Sequence, residues 1–233
     1  MIPFLILLVI IVAGVAYSLI RKKLTPVAAL TGSVLALVLY LGLGFTGVCM
    51  MATFFIAGTL ATSWKMKEKV ARGIAEQNKG ERTAGQVLAN AGVAGIAAIL
   101  AYLYPVQHIF TLMAAAAFSS ATADTMSSEL GSVYGKRFYN ILSFKKDQRG
   151  LDGVISLEGT VAGIVGSCII ASVYAVGFGW HAATFLAIII AGTIGNIVDS
   201  ILGATLERKG IIKNDTVNFL NTLVAALIVA LFY

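Results

Sequence analysis

Charge is what this sequence has least of. Of its 233 residues only 12% are Asp, Glu, Lys or Arg, whereas 58% are apolar. A soluble domain carries about 25% charged residues, and a mean hydropathy of +0.89 lies far from that class. So few charges cannot cover this much apolar surface in water, and disorder and coiled coils are excluded on the same ground. Cysteine is nearly missing. Cys49 and Cys168 each lie inside an apolar run, which excludes a disulfide scaffold and reads as small packing residues. Histidine is as scarce: His108 and His181 stand at the outer ends of apolar runs, away from the acids described below, so a His-carboxylate zinc site has no support. No GxxxxGK[ST], GxGxxG or GxSxG occurs, which removes P-loop, soluble dinucleotide-binding and serine-nucleophile chemistry. Proline is rare (3) and glycine abundant (24), a balance that suits closely packed membrane helices.

What is present is a series of apolar runs. A bilayer crossing needs about 20 mainly apolar residues, and eight stretches qualify: 2–20, 25–42, 44–62, 86–104, 107–130, 155–178, 182–206 and 216–233. Gly42 and Gly44 separate the second and third, so one long broken helix is the alternative there. The first run has neither a basic leader nor a small-residue cleavage site and is expected to be a retained helix. All 17 basic residues fall in alternate connections: Arg21–Lys23, Lys65–Arg82, Lys136–Arg149 and Arg208–Lys213. The other connections are short and uncharged. The positive-inside rule therefore predicts one all-α integral membrane domain, 1–233, of about eight helices with both termini outside and the basic loops cytoplasmic. The expected location is an inner or cytoplasmic membrane, with the active face on the cytoplasmic side. The net charge of +6 belongs to that face, through anionic lipid or a bound polyanion. Nucleic acid is not an expected partner, because no soluble domain exists to present a surface. Two loops, 63–85 and 131–154, are long enough to form part of a site. The first has room for an interfacial helix from Lys65 to Gln77.

Acids inside apolar helices need a reason, since an Asp near a helix centre costs roughly 2.5–3.5 kcal/mol on insertion scales. Asp124 and Asp199 lie at matched depths near the cytoplasmic ends of two helices that run the same way. Ser128 and Glu129 follow Asp124, and Asn196 and Ser200 flank Asp199. These oxygen donors suit a hard cation such as Mg²⁺, and Asp124, Glu129 and Asp199 are the expected metal ligands. Glu158 opens a helix, by charge a capping residue or a catalytic one. Asp215 is expected to cap the last helix. Asn218 and Asn221 either glue helices together or line the site. Arg82, Gln86 and Asn90 form a plausible phosphate clamp at the head of another helix.

At these motifs the chain resembles the membrane family, named only as a domain of unknown function, that includes the phytyl-phosphate kinase of tocopherol and phylloquinone biosynthesis. The resemblance rests on GERTAGQVLANAG (80–92), ATADTMSSELG (121–131), GLDGVISLEGTVAG (150–163) and GTIGNIVDSILGAT (192–205). More distantly it is similar to polyprenol and phytol kinases, through Ala123-Asp124, GSVYGKR (131–137), Lys145 or Lys146, and Glu158-Gly159-Thr160. Residues 152–156 lengthen the segment before that last element relative to those kinases. The resemblance implies transfer of a phosphoryl group from Mg²⁺-bound nucleotide, with CTP expected, to an isoprenoid monophosphate. It places Asp124, Asp199 and Glu158 in catalysis, and Lys136, Arg137, Lys145 and Lys146 on phosphates beside Arg82, Gln86 and Asn90, with Ser128, Asn196, Ser200 and Asn218 lining the site. Two readings compete: a transporter carrying protons or cations on Asp124 and Asp199, and a cytidylyltransferase forming a CDP-lipid. Acids near one side, and an uncharged outer face, argue against alternating access.

Overall fold

The computed structural model describes residues 2–75 and 80–233. The helices are α1 (Ile2–Ile20), α2 (Pro26–Ser63), α3 (Met66–Ala71), α4 (Ala84–Leu103), α5 (Ile109–Tyr134), α6 (Leu157–Phe178), α7 (Ala182–Leu202) and α8 (Asn214–Val229). A π-helical turn, Gly203–Glu207, continues α7. Two-residue strands β1 (Tyr139–Asn140) and β2 (Val154–Ile155) pair antiparallel.

Local chemistry sets the helix starts. Thr25 caps α2 by accepting from the Ala28 N–H, ahead of Pro26 at the first helical position. Thr83 and Gln86 form a reciprocal capping box on α4. Ser156 accepts from the Gly159 N–H at 3.1 Å to open α6.

The 38 residues of α2 would reach about 57 Å if straight, nearly twice the hydrocarbon thickness of about 30 Å. Instead the chain reverses at Gly44, whose φ of 62° and ψ of −153° belong to a region open essentially to glycine. The reversal brings the Lys23 Nζ within 2.8 Å of the Ser63 Oγ. A Cβ on Gly32 would lie 3.7 Å from the Met51 Cε. The two apolar runs at 25–42 and 44–62 are thus an antiparallel pair.

By length and composition six helices among the described residues can cross a membrane. The folded α2 supplies two of the crossings, and α5, too polar to qualify by composition, supplies the eighth from the middle of the bundle. It packs against α2, α4, α6, α7 and α8, with Ala114–Ala117 fully buried. Small side chains let its neighbours approach: Gly159, Gly163 and Gly166 of α6 ride directly on the α5 backbone near Ser127, Ala123 and Thr122. Some of its hydroxyls are satisfied within the helix, as Thr122 donates to the Phe118 carbonyl at 2.7 Å and Thr125 to that of Ala121 at 3.0 Å, and others across helices, as Ser119 donates to the Ile188 carbonyl of α7 at 3.2 Å. The protein is an all-α polytopic membrane protein. The outer faces of α1 carry exposed Phe4, Leu5, Leu8, Val9 and Val12, as a lipid-facing helix requires.

The basic loops meet at one end of the bundle. The segment before α4 pairs with the segment before α2 through Arg82 N–H to the Lys23 carbonyl (2.9 Å) and Thr25 N–H to the Arg82 carbonyl (3.0 Å). The interfacial helix expected between Lys65 and Gln77 is shorter, ending at Ala71, and residues 76 and 77 fall outside the described residues.

Candidate functional site

At that end of the bundle a polar cavity of about 770 Å³ opens between α4, α5, α7 and α8, roofed by residues 150–156. Asp124 and Asp199 meet on its floor, their carboxyl groups near enough to interact. Asn221, fully buried, holds the pair in position: its Nδ2 donates to Asp199 Oδ2 at 2.6 Å, and its Oδ1 accepts from the Ser120 hydroxyl at 3.0 Å. Gly195 makes this possible, since a Cβ there would lie 2.2 Å from the Ser120 Oγ. Of the two sequence readings for Asn221, the interhelical one describes it.

Arg82 enters from the loop before α4, and its guanidinium lies over the Phe54 ring at 4.9 Å. Gly58 leaves room for it, because a Cβ there would sit 2.4 Å from its Nη2. The cation is thereby buried and pre-oriented against an aromatic face. Gln86, Asn90, Ser128, Asn196, Ser200 and Asn218 also line the cavity. Gln86 and Asn90 have structural duties as well: Gln86 Oε1 accepts from the Thr83 N–H at 2.9 Å, and Asn90 Nδ2 donates to the Gln86 carbonyl at 2.9 Å.

The structure brings some of the expected residues to this cavity and leaves others away from it. Lys136, Arg137, Lys145 and Lys146 are exposed and line no part of the cavity. The pairing of β1 with β2 takes up the backbone beside them, and the Asn140 Oδ1 accepts from the Leu142 and Ser143 N–H groups, turning the segment outward. Glu158 lies outside the cavity lining too. It sits in the first turn of α6 and accepts the Lys136 backbone N–H at 3.4 Å. Glu129 reaches the cavity wall, but its carboxylate is ion-paired with Lys69, a fully buried lysine that also donates to the Ala61 and Thr62 carbonyls. It therefore stands apart from the Asp124–Asp199 pair. Among the described residues no three His, Cys, Asp or Glu side chains gather to hold a metal. The Asp124–Asp199 pair would offer a Mg²⁺ ion two carboxylates, a number that suits an ion whose other ligands are nucleotide phosphates. Asp215 does not cap α8. Lys213 occupies that position, and Asp215 lies in the first turn.

Asp152, Glu207 and Lys213 also line the cavity, though nothing in their spacing marked them out. The hydrogen-bonded turn around Gly153 carries Asp152 to the roof. Gly153 has φ +72° and rests on Ala204, where a Cβ would be 2.4 Å from the alanine Cβ. The π turn presents Glu207 from below, an irregularity often found at functional sites. Six carboxylates and two cations line the cavity, and Lys69 neutralises one of the six. So acidic a wall repels a bare polyanion and favours one that arrives with divalent metal.

Outside the bundle the loop is tied down by Asp147. Its carboxyl is held below the usual range, first by the Gln148 backbone N–H and then by the Arg208 guanidinium 2.8 Å away.

Four sequence segments line or border this one cavity: the head of α4, the C-terminal half of α5, the turn before α6 and the end of α7. The family model described as "Integral membrane protein DUF92" matches residues 8–226. The chain belongs to this family. Protein VTE6, chloroplastic, of Arabidopsis thaliana is 35% identical over 197 residues, which is 81% of this chain and 59% of the plant protein. An uncharacterised membrane protein of Synechocystis is 33% identical over 214 residues, 89% of this chain and 82% of its own. Another, of Methanocaldococcus jannaschii, is 33% identical over 205 residues, 86% and 82% respectively. The chain thus spans 59% of the plant relative's length. No solved structure matches. Every residue that lines the cavity falls inside the DUF92 match.

Proposed function

We propose that this DUF92 protein is a membrane phosphotransferase that transfers a phosphoryl group from a nucleoside triphosphate, CTP by the kinase resemblance, to a prenyl monophosphate such as phytyl or geranylgeranyl phosphate. The observation that carries the reading is the Asp124–Asp199 carboxyl pair on the floor of a polar cavity, with the buried Arg82 on its wall. Phosphoryl transfer requires positioning and charge stabilisation rather than a covalent protein intermediate. In the reaction an acceptor phosphate oxygen bonds to the γ-phosphorus, the bond from that phosphorus to the bridging oxygen breaks, and nucleoside diphosphate leaves.

Mg²⁺ bound with the nucleotide would supply charge neutralisation at the phosphates. Asp124 and Asp199 are the residues to hold it, and the Asn221 bond fixes Asp199 for that task. Arg82 faces the transferring charge with a fork already oriented by Phe54. Asn90, Asn196, Asn218, Ser128 and Ser200 offer neutral donors and acceptors for sugar, base and phosphate oxygens. The acceptor is already an anionic phosphate, so the site needs no strong general base. We place the cavity on the cytoplasmic side, on the charge asymmetry of the loops.

The test is purified protein in detergent with Mg²⁺, labelled CTP or ATP, and phytyl or geranylgeranyl monophosphate. Labelled lipid diphosphate and nucleoside diphosphate are the expected products, and Asp124→Asn or Asp199→Asn should each lower the rate by about 100-fold or more. Full activity in both variants would refute the site. Release of inorganic diphosphate would mean nucleotidyl transfer, and no transfer from any nucleotide in folded protein would return the two acids to cation transport.

A further inference from the structure

A second, apolar groove of about 550 Å³ runs along α4, between the first half of α2 and α8. Its floor is Gly85, Ala89, Gly92 and Gly95, and Leu88 and Ile96 stand at its lateral opening about half exposed. From Gly85 to Ile99 it covers 14 helical steps, about 21 Å at about 1.5 Å per residue, comparable to an extended twenty-carbon isoprenoid. Small residues along a membrane helix let another helix pack there, as Leu35 of α2 does over Gly95, but at Gly92 a Cβ would meet nothing nearer than the Phe219 Cε2 at 3.8 Å, which leaves a trough.

The second observation is where the trough ends. Asp215 lines both the groove and the polar cavity, and a Cβ on Gly85 would lie 2.6 Å from its Oδ2. Asp215 thus stands at the boundary between the polar end of the groove and the chamber that holds Asp124 and Asp199. A molecule lying across that junction must have one long apolar chain and a polar end small enough to enter the chamber. A bilayer phospholipid has two chains and a bulkier diester head, and it does not match a single trough.

We infer that the α2–α4–α8 groove receives the hydrocarbon chain of the prenyl phosphate from the bilayer, placing its phosphate past Asp215 in the polar cavity, and that Gly92 limits chain length. The inference rests on the prenyl-phosphate reading above. Gly92 is the place to probe. A Cβ there would meet only the Phe219 Cε2 at 3.8 Å, ordinary contact, so a larger side chain fills the trough without striking backbone. It lies seven residues from Gly85, about 10 Å along the helix, so a short chain ends before it and a long one must pass it.

The experiment has two arms. In the first, wild type, Gly92→Leu and the lipid-facing control Val161→Phe are assayed with geranyl and geranylgeranyl monophosphate. Gly92→Leu should lower turnover of the long substrate by about 10-fold or more and change the short one by no more than about twofold, with Val161→Phe unchanged for both. In the second, wild-type protein is photolabelled with a geranylgeranyl monophosphate bearing a diazirine at the chain end, and labelled peptides are mapped. Label at Ile96 or Ile99 is expected, reduced by unlabelled geranylgeranyl monophosphate. Equal loss for both chain lengths, label elsewhere, or equal labelling by a diazirine-tipped phospholipid would overturn the groove assignment. If wild type forms no lipid diphosphate while the label still maps to the groove, the kinase reading fails and the groove stands.

Discussion

Lys69 shows how much a single side chain can decide at this membrane boundary. It is 1% exposed, lies on the short helix α3, and joins that helix to α2 through two carbonyls and to α5 through Glu129. Removing one member of a buried ion pair strands the other charge, at a cost of about 3–5 kcal/mol, whereas replacing both with apolar or neutral groups of similar size is close to neutral. Lys69→Met is therefore expected to lower stability by that amount, and Lys69→Met/Glu129→Gln to recover most of it, as measured by thermal unfolding in detergent. Equal stability of the single and double variants would show that the pair is not coupled. In the sequence Lys69 is one of several bases in a loop and cannot be told from the solvated ones. Asp124 and Asp199 were legible for the opposite reason: a carboxylate inside an apolar helix is costly unless a partner or function compensates it.

The elements divide along the same line. Run lengths and caps locate the helices to within a few residues, because bilayer thickness and unsatisfied backbone groups act locally. The junctions are different. Whether the runs around Gly44 form a straight helix or a hairpin depends on one torsion, and the roof of the site depends on Gly153 resting against Ala204. Gly153→Ala adds a Cβ at a left-handed φ of +72°, into atoms of Ala204 at 2.4–2.6 Å, so neither strain nor clash can be relieved without moving the turn. The expected result is faster amide exchange across residues 150–156 and reduced transfer, with α4–α5 exchange unchanged. Unaltered exchange in that turn would show that the contact does not hold the roof. The basic loop 136–146 is where the expected residues and the cavity lining differ most. Its charge pattern suggested phosphate contacts, but strand pairing and the Asn140 turn direct it outward.

At the scale of the molecule, the loops at the basic end are fastened to each other. Asp147 joins the loop after α5 to the segment after α7 through Arg208, and its carboxyl lies below the usual range because the Gln148 N–H and then Arg208 favour the charged form. A depressed folded-state value stabilises the fold fully above the unfolded carboxylate value of about 3.9, and the contribution is lost as pH falls through the folded value. Protection of the loop from proteolysis should therefore persist to about pH 4 and fall below it. Asp147→Asn should be weaker at neutral pH and lose that acid-induced step. An identical pH profile in the variant would place the acid sensitivity elsewhere. Salt should weaken the same tie, because the pair is partly exposed.

Composition and the alternation of basic and uncharged connections were enough to determine an eight-crossing helical membrane protein with its charges at one end, since transfer free energies act residue by residue along the chain. The same logic singled out Asp124, Asp199, Arg82 and the polar side chains on α4, α5, α7 and α8 that line the cavity. Only the tertiary structure decided that the two aspartates touch, that Asn221 holds one of them, that Glu129 belongs to Lys69, and that Asp152 and Glu207 complete an acidic wall. Those relations rest on bonds between residues 60 and 101 positions apart, and they depend on helix rotation, close approach at glycine and one π turn, which no local spacing encodes.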